Sequence, residues 1–284
     1  MSSVAVVTDS TASLPRDVAA AHRITVVPLQ VVIGADAHDE GTPEATPQRI
    51  ADALRDFRPV STSRPSPALI RQVYDDLERG GAERIVSVHL SAEMSGTFES
   101  AQIASRDARL PVTCVDTRQV GVATGYAALA AAEAASAGRP AGDVAEAARR
   151  RAEASSSFFY VDTLEHLRRG GRIGTAAALL GGALAVKPIL TIDDGSVSSL
   201  ERVRTSGRAL ARLADLAVAA AGDRQVDVCV AHLAGEERAT DLSAQLAARL
   251  AGPLGGREVW TTEVGAVLGA HVGPGMLAVC VAPR

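Results

Sequence analysis

VAVVTDST (residues 4–11) is the stretch that decides the fold, because an apolar run is followed at once by polar turn residues. A continuous apolar run bounded in this way indicates a strand that is buried on both faces. Ser13 then caps a helix that begins with Leu-Pro at positions 14 and 15, where proline is favoured. A buried strand that leads directly into a helix is typical of α/β proteins with a parallel sheet.

Strands and helices alternate throughout the first half of the chain. Strands are predicted at residues 4–8, 24–33, 84–90 and 112–115, and helices at 46–56, 66–80, directly after 95–97, at 120–137 and at 141–154. This rhythm predicts a mostly parallel sheet with helices on both faces. Ligands of such sheets lie beyond the carboxyl ends of the strands, and we expect the turns at 8–13, 61–65 and 91–97 at that edge.

The second half has a different pattern. Asp193-Asp194-Gly195 lies between two strand-like segments and predicts a β-hairpin, because Asp-Gly supports a type I′ turn. Further strands are predicted at 158–161, 226–231, 257–262 and 276–281, and helices at 206–221 and 236–251. We expect an N-terminal α/β domain at 1–155 and a smaller C-terminal α/β domain with a mixed or antiparallel sheet at 156–284.

The composition argues against several classes of protein. Hydrophobic residues make up 47% of the 284 and aromatic residues 3%, which predicts a core of Ala, Val, Leu and Ile. A net charge of −4 gives no general attraction to nucleic acid, so no nucleic-acid partner is expected. The apolar run at 176–192 is shorter than the ~20 residues of a spanning helix and contains Lys187 and Pro188. We predict a buried helix at 175–184 and no transmembrane segment, which leaves transient membrane contact open.

The cysteines indicate a reducing compartment. Cys114, Cys229 and Cys280 each lie in an apolar, strand-like run, and their spacing matches no zinc site. The first residues also lack the basic segment of a signal peptide. These features predict buried thiols, a cytoplasmic protein and neither a metal nor a cofactor. Lys187 is the only lysine, which codon bias explains unless its ammonium group has a role.

Three turns are rich in small and hydroxyl residues: STSRP (61–65), SGT (95–97) and GAHVGPG (269–275). If they converge, their hydroxyl and helix N-terminal N–H groups form a cup for a carboxylate or phosphate, with the His271 imidazole on its rim. The first two turns are also explained as an ordinary helix entry or cap. A lone histidine is likewise more often structural than functional.

Arginine clusters provide a second kind of candidate. RRGGRI (168–173) is explained by cations and a glycine at the end of a helix. Arg202, Arg204 and Arg208 follow the hairpin, and strand alternation places Arg202 and Arg204 on one face. This second cluster is either a solvated surface or a docking surface for an acidic partner protein.

The sequence contains no dinucleotide-binding loop, phosphate-binding loop or hydrolase elbow. The cup therefore favours holding an acid over catalysis, and no catalytic residue is predicted. An enzyme that acts on a small acid or carbonyl compound through Ser95 or His271 is the alternative. A regulatory module that acts through the arginine clusters is a third hypothesis.

Ordered motifs along the chain resemble the DegV family. They are TDSTA (8–12), VVPL (26–29), TSRPSP (62–67), SGT (95–97), DTL (162–164), RGGRI (169–173), KPIL (187–190) and HVGPG (271–275). The resemblance covers essentially the whole chain and implies a two-domain α/β protein that binds a long-chain fatty acid in a tunnel between the domains. This chain has Arg64 where many members carry glutamine.

The resemblance also implies roles for individual residues. Thr62, Ser63, Ser95, Gly96 and Thr97 would hold the carboxylate, with His271 beside it and Arg172 as a further neighbour. A separate fatty acid kinase would then form an acyl phosphate on the presented acid, in the service of phospholipid metabolism. Arg202, Arg204 and Arg208 would lie on the surface where that kinase docks.

Overall fold

The computed structural model describes residues 3–179 and 187–284. The chain divides into two compact units: Met1–Gln30 with Ser63–Glu153, and Val31–Thr62 with Ala154–Arg284. The predicted domain boundary between residues 155 and 156 lies close to the boundary at Glu153–Ala154. The prediction placed residues 31–62 in the N-terminal domain, whereas in the structure Val31–Thr62 belongs to the second unit. With this segment, the second unit is the longer of the two, not the smaller.

The regular elements alternate as the pattern indicates. In the described part of the chain, the strands are β1 (Val4–Asp9), β2 (Ile24–Val27), β3 (Gln30–Ile33), β4 (Asp36–Asp39), β5 (Val60–Ser63), β6 (Arg84–His89), β7 (Val112–Asp116), β8 (Ser156–Tyr160), β9 (Lys187–Asp193), β10 (Ser196–Val203), β11 (Val226–His232), β12 (Trp260–Glu263) and β13 (Leu277–Pro283). The α-helices are α1 (Arg16–Ala21), α2 (Pro47–Arg55), α3 (Pro67–Arg79), α4 (Thr97–Arg106), α5 (Val122–Ser136), α6 (Ala141–Ala154), α7 (Glu165–Arg169), α8 (Ser206–Ala221), α9 (Glu236–Arg249), α10 (Ala251–Leu254) and α11 (Ala266–Val272). Short 3₁₀ helices span Ser10–Ala12 and Gly174–Leu179. None of the described helices is both long and apolar enough to cross a membrane.

The first unit contains the predicted parallel sheet. Its order is β2-β1-β6-β7, and every pairing is parallel. On one face, Val7 and Ile85 pack with α3 and α4 around the buried Ile70 and Tyr74. Helix α5 packs against β1 and β6. The parallel pairing of these strands and the helices packed on them confirm the α/β fold that the apolar run at 4–8 predicts.

A buried polar chain joins β1, β6 and α3 inside the first unit. The Asp9 carboxylate lies 3.0 Å from His89 Nδ1, and Ser87 Oγ lies 2.8 Å from His89 Nε2. The Tyr74 hydroxyl donates to Ser87 Oγ at 2.9 Å, and burial raises the pKa of that hydroxyl. The order Asp9–His89–Ser87 resembles a hydrolase triad. Each of these three residues is fully buried, so the hydrogen-bonded network stabilises the first unit and is not accessible to a substrate.

The second unit is built on a mixed sheet of order β10-β9-β8-β13-β11-β12. The neighbours are antiparallel except for β11 and β12, which are parallel. The predicted hairpin joins β9 to β10, with Asp194 and Gly195 at positive φ as a type I′ turn requires. Helices α8 and α9 bury Ala and Leu side chains such as Leu213 and Leu246 against this sheet. The prediction of a mixed sheet is therefore confirmed.

A smaller sheet and a helical cluster complete the second unit. The order β4-β3-β5 gives three strands that belong to this unit except for the terminal residues Gln30 and Ser63. Helix α11 packs against both α2 and α7. Segment 31–62 therefore belongs here because its strands and helix are paired and packed within the unit.

Three sequence expectations are wrong or fall outside the description. The stretch 61–65 is not a turn that follows a strand of the parallel sheet, because its residues up to Ser63 belong to β5, which pairs with β3 in the small sheet. The stretch 269–275 is not simply a glycine-rich loop, since α11 extends to Val272 and buries Ala266, Val267 and Ala270. Of the helix predicted at 175–184, residues up to 179 are 3₁₀ and residues 180–184 lie outside the described part.

Ser87→Ala should lower the free energy of unfolding by about 1–3 kcal/mol, because the buried Tyr74 hydroxyl and His89 Nε2 both lose a partner. Ser136→Ala, at an exposed helix end, is the matched control and should change it by less than about 0.5 kcal/mol. Urea unfolding measures both values. Equal, small effects would show that the buried chain contributes nothing to stability.

Candidate ligand-binding site

Thr62 and His271 form a hydrogen-bonded pair in the second unit. Strand β5 carries Thr62 one residue before its end, and His271 lies in the last turn of α11. Thr62 Oγ1 and His271 Nε2 are 2.9 Å apart. Thr62 and His271 were predicted as site residues from two different segments of the sequence. The packing of the small sheet and the helical cluster brings them together.

The His271 imidazole is neutral at physiological pH. Burial, and then the positive charge of Arg172, lower the pKa of His271 from its usual value to about 4. A neutral imidazole has one N–H donor and one acceptor nitrogen. Nε2 contacts Thr62, and Nδ1 is buried without a hydrogen-bond partner in the described part of the chain. The pair therefore offers a ligand uncharged polar groups.

Gly170 fixes the position of the imidazole. A methyl group at this position would overlap His271 Nδ1, so only glycine allows this approach. Arg172 turns back over the same backbone, since its Nη1 donates to the Gly170 carbonyl oxygen at 2.6 Å. The RGGRI segment is therefore more than a helix end, because its backbone supports the imidazole.

Lys187 takes part in a local interaction near the junction of β8 and α7. Its Nζ donates to the Asp162 carbonyl oxygen at 3.1 Å and lies 5.9 Å from the Tyr160 ring centroid. The Tyr160 hydroxyl donates to the Asp162 carboxylate. These contacts connect the DTL and KPIL motifs and give the lone ammonium group a structural partner.

A cavity of about 480 Å³ adjoins the Thr62–His271 pair, and both residues line it. Its wall is formed by the β3–β4 turn, the end of α2, β5, α7 and α11. Apolar lining comes from Val32, Leu54, Phe57, Pro59, Val60 and Ala270. Phe57 is 83% exposed at the rim and adopts a left-handed conformation with φ 55°.

Cations line the remainder of the cavity. Arg58, Arg169 and Arg172 are all exposed at its wall, next to His166. Arg169 Nε is paired with the Glu165 carboxylate at 2.7 Å. Hydrogen bonds from Arg168 and Arg169 lower the pKa of Glu165 to about 2, so that carboxylate is ionised. One acid among these arginines leaves the cavity with an excess of positive charge.

The Ser95–Thr97 turn lies in the first unit, between β6 and α4. Ser95 Oγ is 2.9 Å from Thr97 Oγ1 and accepts a bond from the Thr97 backbone N–H at 3.3 Å. This arrangement is a local turn immediately before α4, whose N-cap residue is Gly96. Ser63 Oγ donates to the Arg64 carbonyl oxygen at 3.3 Å.

Arg64 crosses this turn in the first unit. Its Nη1 donates to the Gly96 carbonyl oxygen at 3.1 Å and to Glu99 Oε2 at 2.6 Å. A side chain at position 96 would displace the Arg64 guanidinium from its present place over this turn. The unusual arginine at 64 therefore has its own carboxylate partner at the beginning of α4.

Arg202, Arg204 and Arg208 are exposed near the end of β10 and the start of α8. In the part of the chain that the structure describes, their side chains form no hydrogen bond or ion pair. Thr205 caps α8 by accepting a bond from the Arg208 backbone N–H at 3.3 Å. This short segment presents three positive charges with available donors.

Sequence reasoning missed Arg58, Phe57 and His166 as neighbours of the site. Phe57 and Arg58 follow the end of α2 in a pattern typical of any exposed loop, so the sequence contains no signal for them. For His166, the sequence feature that pointed to this region was the RGGRI motif at 169–173, which lies three residues further along the chain. Among the described residues, no group of three or more His, Cys, Asp or Glu side chains is arranged to hold a metal ion.

By fold, the molecule is an α/β protein of two units, one with a parallel sheet and one with a mixed sheet. A family model described as "Uncharacterised protein, DegV family" matches residues 3–284. A DegV domain-containing protein of Streptomyces coelicolor is 50% identical over 281 residues, covering 99% of each chain. The chain belongs to the DegV family, as the ordered motifs predicted.

Solved structures extend the comparison. A DegV family protein from Thermus thermophilus, described by its fatty acid binding, has a TM-score of 0.91 and 31% identity and covers 99% of both chains. DegV from Bacillus subtilis, described as a fatty acid binding protein, has a TM-score of 0.90 and 31% identity and covers 100% of both chains. These comparisons confirm the fold.

The His271 ring should titrate with a midpoint near pH 4 when followed by NMR. Arg172→Gln should raise this midpoint only in part, because burial is the larger cause of the low pKa and the guanidinium charge the smaller. Arg204→Gln is the control and should leave it unchanged. A midpoint near 6.5 in the wild type would mean that His271 is neither buried nor near a cation.

Proposed function

We propose that this protein binds a long-chain fatty acid and presents its carboxylate to a partner kinase, which converts the acid into an acyl phosphate. The protein itself acts as a non-catalytic carrier. The observation that supports this most directly is the Thr62–His271 hydrogen bond in the wall of a basic cavity. The fatty acid binding described for two relatives of closely similar fold supports the ligand class.

The chemistry of the pair suits a carboxylate. The neutral imidazole has one N–H and the Thr62 hydroxyl one O–H, and their mutual hydrogen bond uses one of these protons, so the pair offers a carboxylate one donor without adding charge. Arg172 lies close enough to lower the pKa of His271 and would attract the anion. Hydrogen bonds to a charged group contribute about 1.5–3 kcal/mol each, offset by the desolvation of the carboxylate.

The hydrocarbon tail would supply most of the affinity. Burying a chain of roughly fourteen methylenes contributes on the order of 11 kcal/mol before ordering costs, at about 0.8 kcal/mol for each methylene. The head-group contacts would then determine orientation more than strength. In this proposal Ser63, Ser95, Gly96 and Thr97 remain further carboxylate ligands, and the interdomain tunnel remains a prediction.

The partner reaction explains why no catalytic residue is required in this chain. The kinase would bring the phosphoryl donor, and this protein would hold the acceptor oxygen in place. Arg202, Arg204 and Arg208 are the proposed docking surface, because three exposed cations with available donors suit an acidic surface.

Thr62→Val should weaken oleate binding about 10- to 100-fold, because it removes one hydrogen bond to a charged group, worth about 1.5–3 kcal/mol. Thr25→Val, which makes the same change in β2, should leave the affinity unchanged. Calorimetric titration of lipid-extracted protein measures both. Native mass spectrometry of the unextracted protein should show a co-purified fatty acid.

Wild-type protein that repeatedly binds neither oleate nor palmitate would overturn the carrier function. The enzyme alternative would instead require turnover of an ester or hydroxyketone that is lost in His271→Ala and retained in His38→Ala. Equal oleate affinities of the Thr62 variant and the wild type would remove Thr62 from the site.

Arg202→Glu combined with Arg204→Glu should leave oleate binding intact and slow acyl phosphate formation at least tenfold with a fatty acid kinase from the same genome. The reason is that like charges oppose docking. Arg106→Glu with Arg109→Glu repeats the charge change on the first unit and should keep the wild-type rate. An equal loss in both double variants would show that net charge, and not this surface, controls the reaction.

A further inference from the structure

Helix α11 carries His271 but has few features of its own that hold it in place. The helix is seven residues long, too short to be stable alone, and it contains Gly269. Its buried residues include Ala266 and Ala270, whose small side chains define the position of a helix along its axis only weakly. The contacts at the two ends of α11 therefore determine where the imidazole lies.

The first turn of α11 is capped by a residue from a distant part of the chain. Gly265, the N-cap residue, has no side chain that could cap the helix, and Glu40 takes this role. Glu40 Oε1 accepts a hydrogen bond from the Val267 backbone N–H at 2.7 Å, across 227 residues of sequence. A carboxylate at this end also interacts favourably with the positive end of the helix dipole.

Gly265 leaves room for this carboxylate. Its φ of −64° is one that any residue adopts, so its conformation does not require a glycine. A methyl group at this position would displace the Glu40 carboxylate from its present place. Gly265→Ala is therefore a way to move the carboxylate off the helix without removing it from the chain.

Segment 31–62 contacts α11 along its whole length: Glu40 at the first turn, Ile50 at the middle and Thr62 at His271. The Ile50 contact is apolar, whereas Glu40 and Thr62 make directional hydrogen bonds at opposite ends of the helix. At 1.5 Å per residue these two bonds are only about 6 Å apart along the axis. A shift of the first turn would therefore be carried directly to the imidazole.

We propose that Glu40 is the positioning residue of His271, because its cap on the first turn of α11 holds the imidazole within hydrogen-bonding distance of Thr62. As an account of ligand binding, this rests on the proposed function. Glu40 acts through the backbone of the helix and not through contact with the fatty acid.

The titration of His271 distinguishes this positioning role from a simple charge effect. Removing a negative charge near an imidazole destabilises its protonated form and lowers its pKa. Loosening α11 would admit water to the ring, and burial is the main cause of its low pKa of about 4, so this change raises the pKa. Loss of the cap and loss of the charge thus move the titration midpoint in opposite directions.

Glu40→Ala should weaken oleate binding about three- to tenfold, as the loss of one helix cap would, and raise the midpoint of His271 followed by NMR. Glu40→Gln keeps an acceptor oxygen for the Val267 N–H. It should bind oleate within about twofold of the wild type, with a midpoint no higher than that of the wild type. Glu44→Ala removes an exposed carboxylate from the same connection between β4 and α2 and should change neither value.

Gly265→Ala tests the same contact from the other side and gives an answer even if Glu40→Ala does not fold. It should reproduce both the weaker oleate binding and the higher His271 midpoint, because the methyl group displaces the carboxylate. Combined with Glu40→Ala it should add little to either effect, since both changes act on one contact.

An unchanged oleate affinity and His271 midpoint in Glu40→Ala would overturn the proposal. So would an equal loss in Glu40→Gln, which would assign the effect to charge. Both results leave the carrier function intact if wild-type protein still binds oleate. If the wild type binds no fatty acid, the carrier function fails, and the His271 midpoints of the same variants still decide whether Glu40 positions the imidazole.

Discussion

Strand β13 is hydrogen-bonded on both sides, to β8 and to β11, and the second unit depends on this pairing. Its residues are almost entirely buried, and their small size lets α8 approach the sheet closely. Because Ala, Val and Leu form most of this core, each contact is small and the packing must be close. The preceding helix, α11, ends at Val272 because Gly273 is its C-cap at φ 75° and Pro274 follows.

Backbone atoms, more than side chains, determine the geometry around His271. Gly170 allows the ring to lie against the main chain, and Arg172 is held by the carbonyl oxygen of that same residue. Side chains at such a site adjust easily, but main-chain atoms of a packed helix end do not. The neutral state of the imidazole has the same origin, because burial is the main cause of its low pKa. The fixed position of the His271 imidazole and its neutral charge state thus both follow from its close approach to the Gly170 backbone.

Local patterns predicted the elements well where strand and helix signals were strong, as in β1 and in the β9–β10 hairpin. The prediction failed for α11, because Gly269 disfavours a helix in isolation and only packing against α2 and α7 stabilises one. No local signal indicated that residues 31–62 belong to the second unit, since this depends on contacts between residues far apart in sequence. At the site, Thr62 and His271 were recognisable as polar residues in small-residue turns. Arg58 was not, because nothing local distinguishes it from other exposed arginines.

The discontinuous construction of the second unit has a consequence for how the protein is made. Thr62 and His271 are separated by 209 residues, and the first unit lies largely between them in sequence. At ribosomal speeds of about 5–20 residues per second, the two halves of this pair emerge roughly 10–40 s apart. During that interval β3, β5 and α2 are exposed without the helices and strands that later cover them. The nascent chain must therefore keep an incomplete unit soluble until its last strand is synthesised, and any chain released early lacks the Thr62–His271 hydrogen bond altogether.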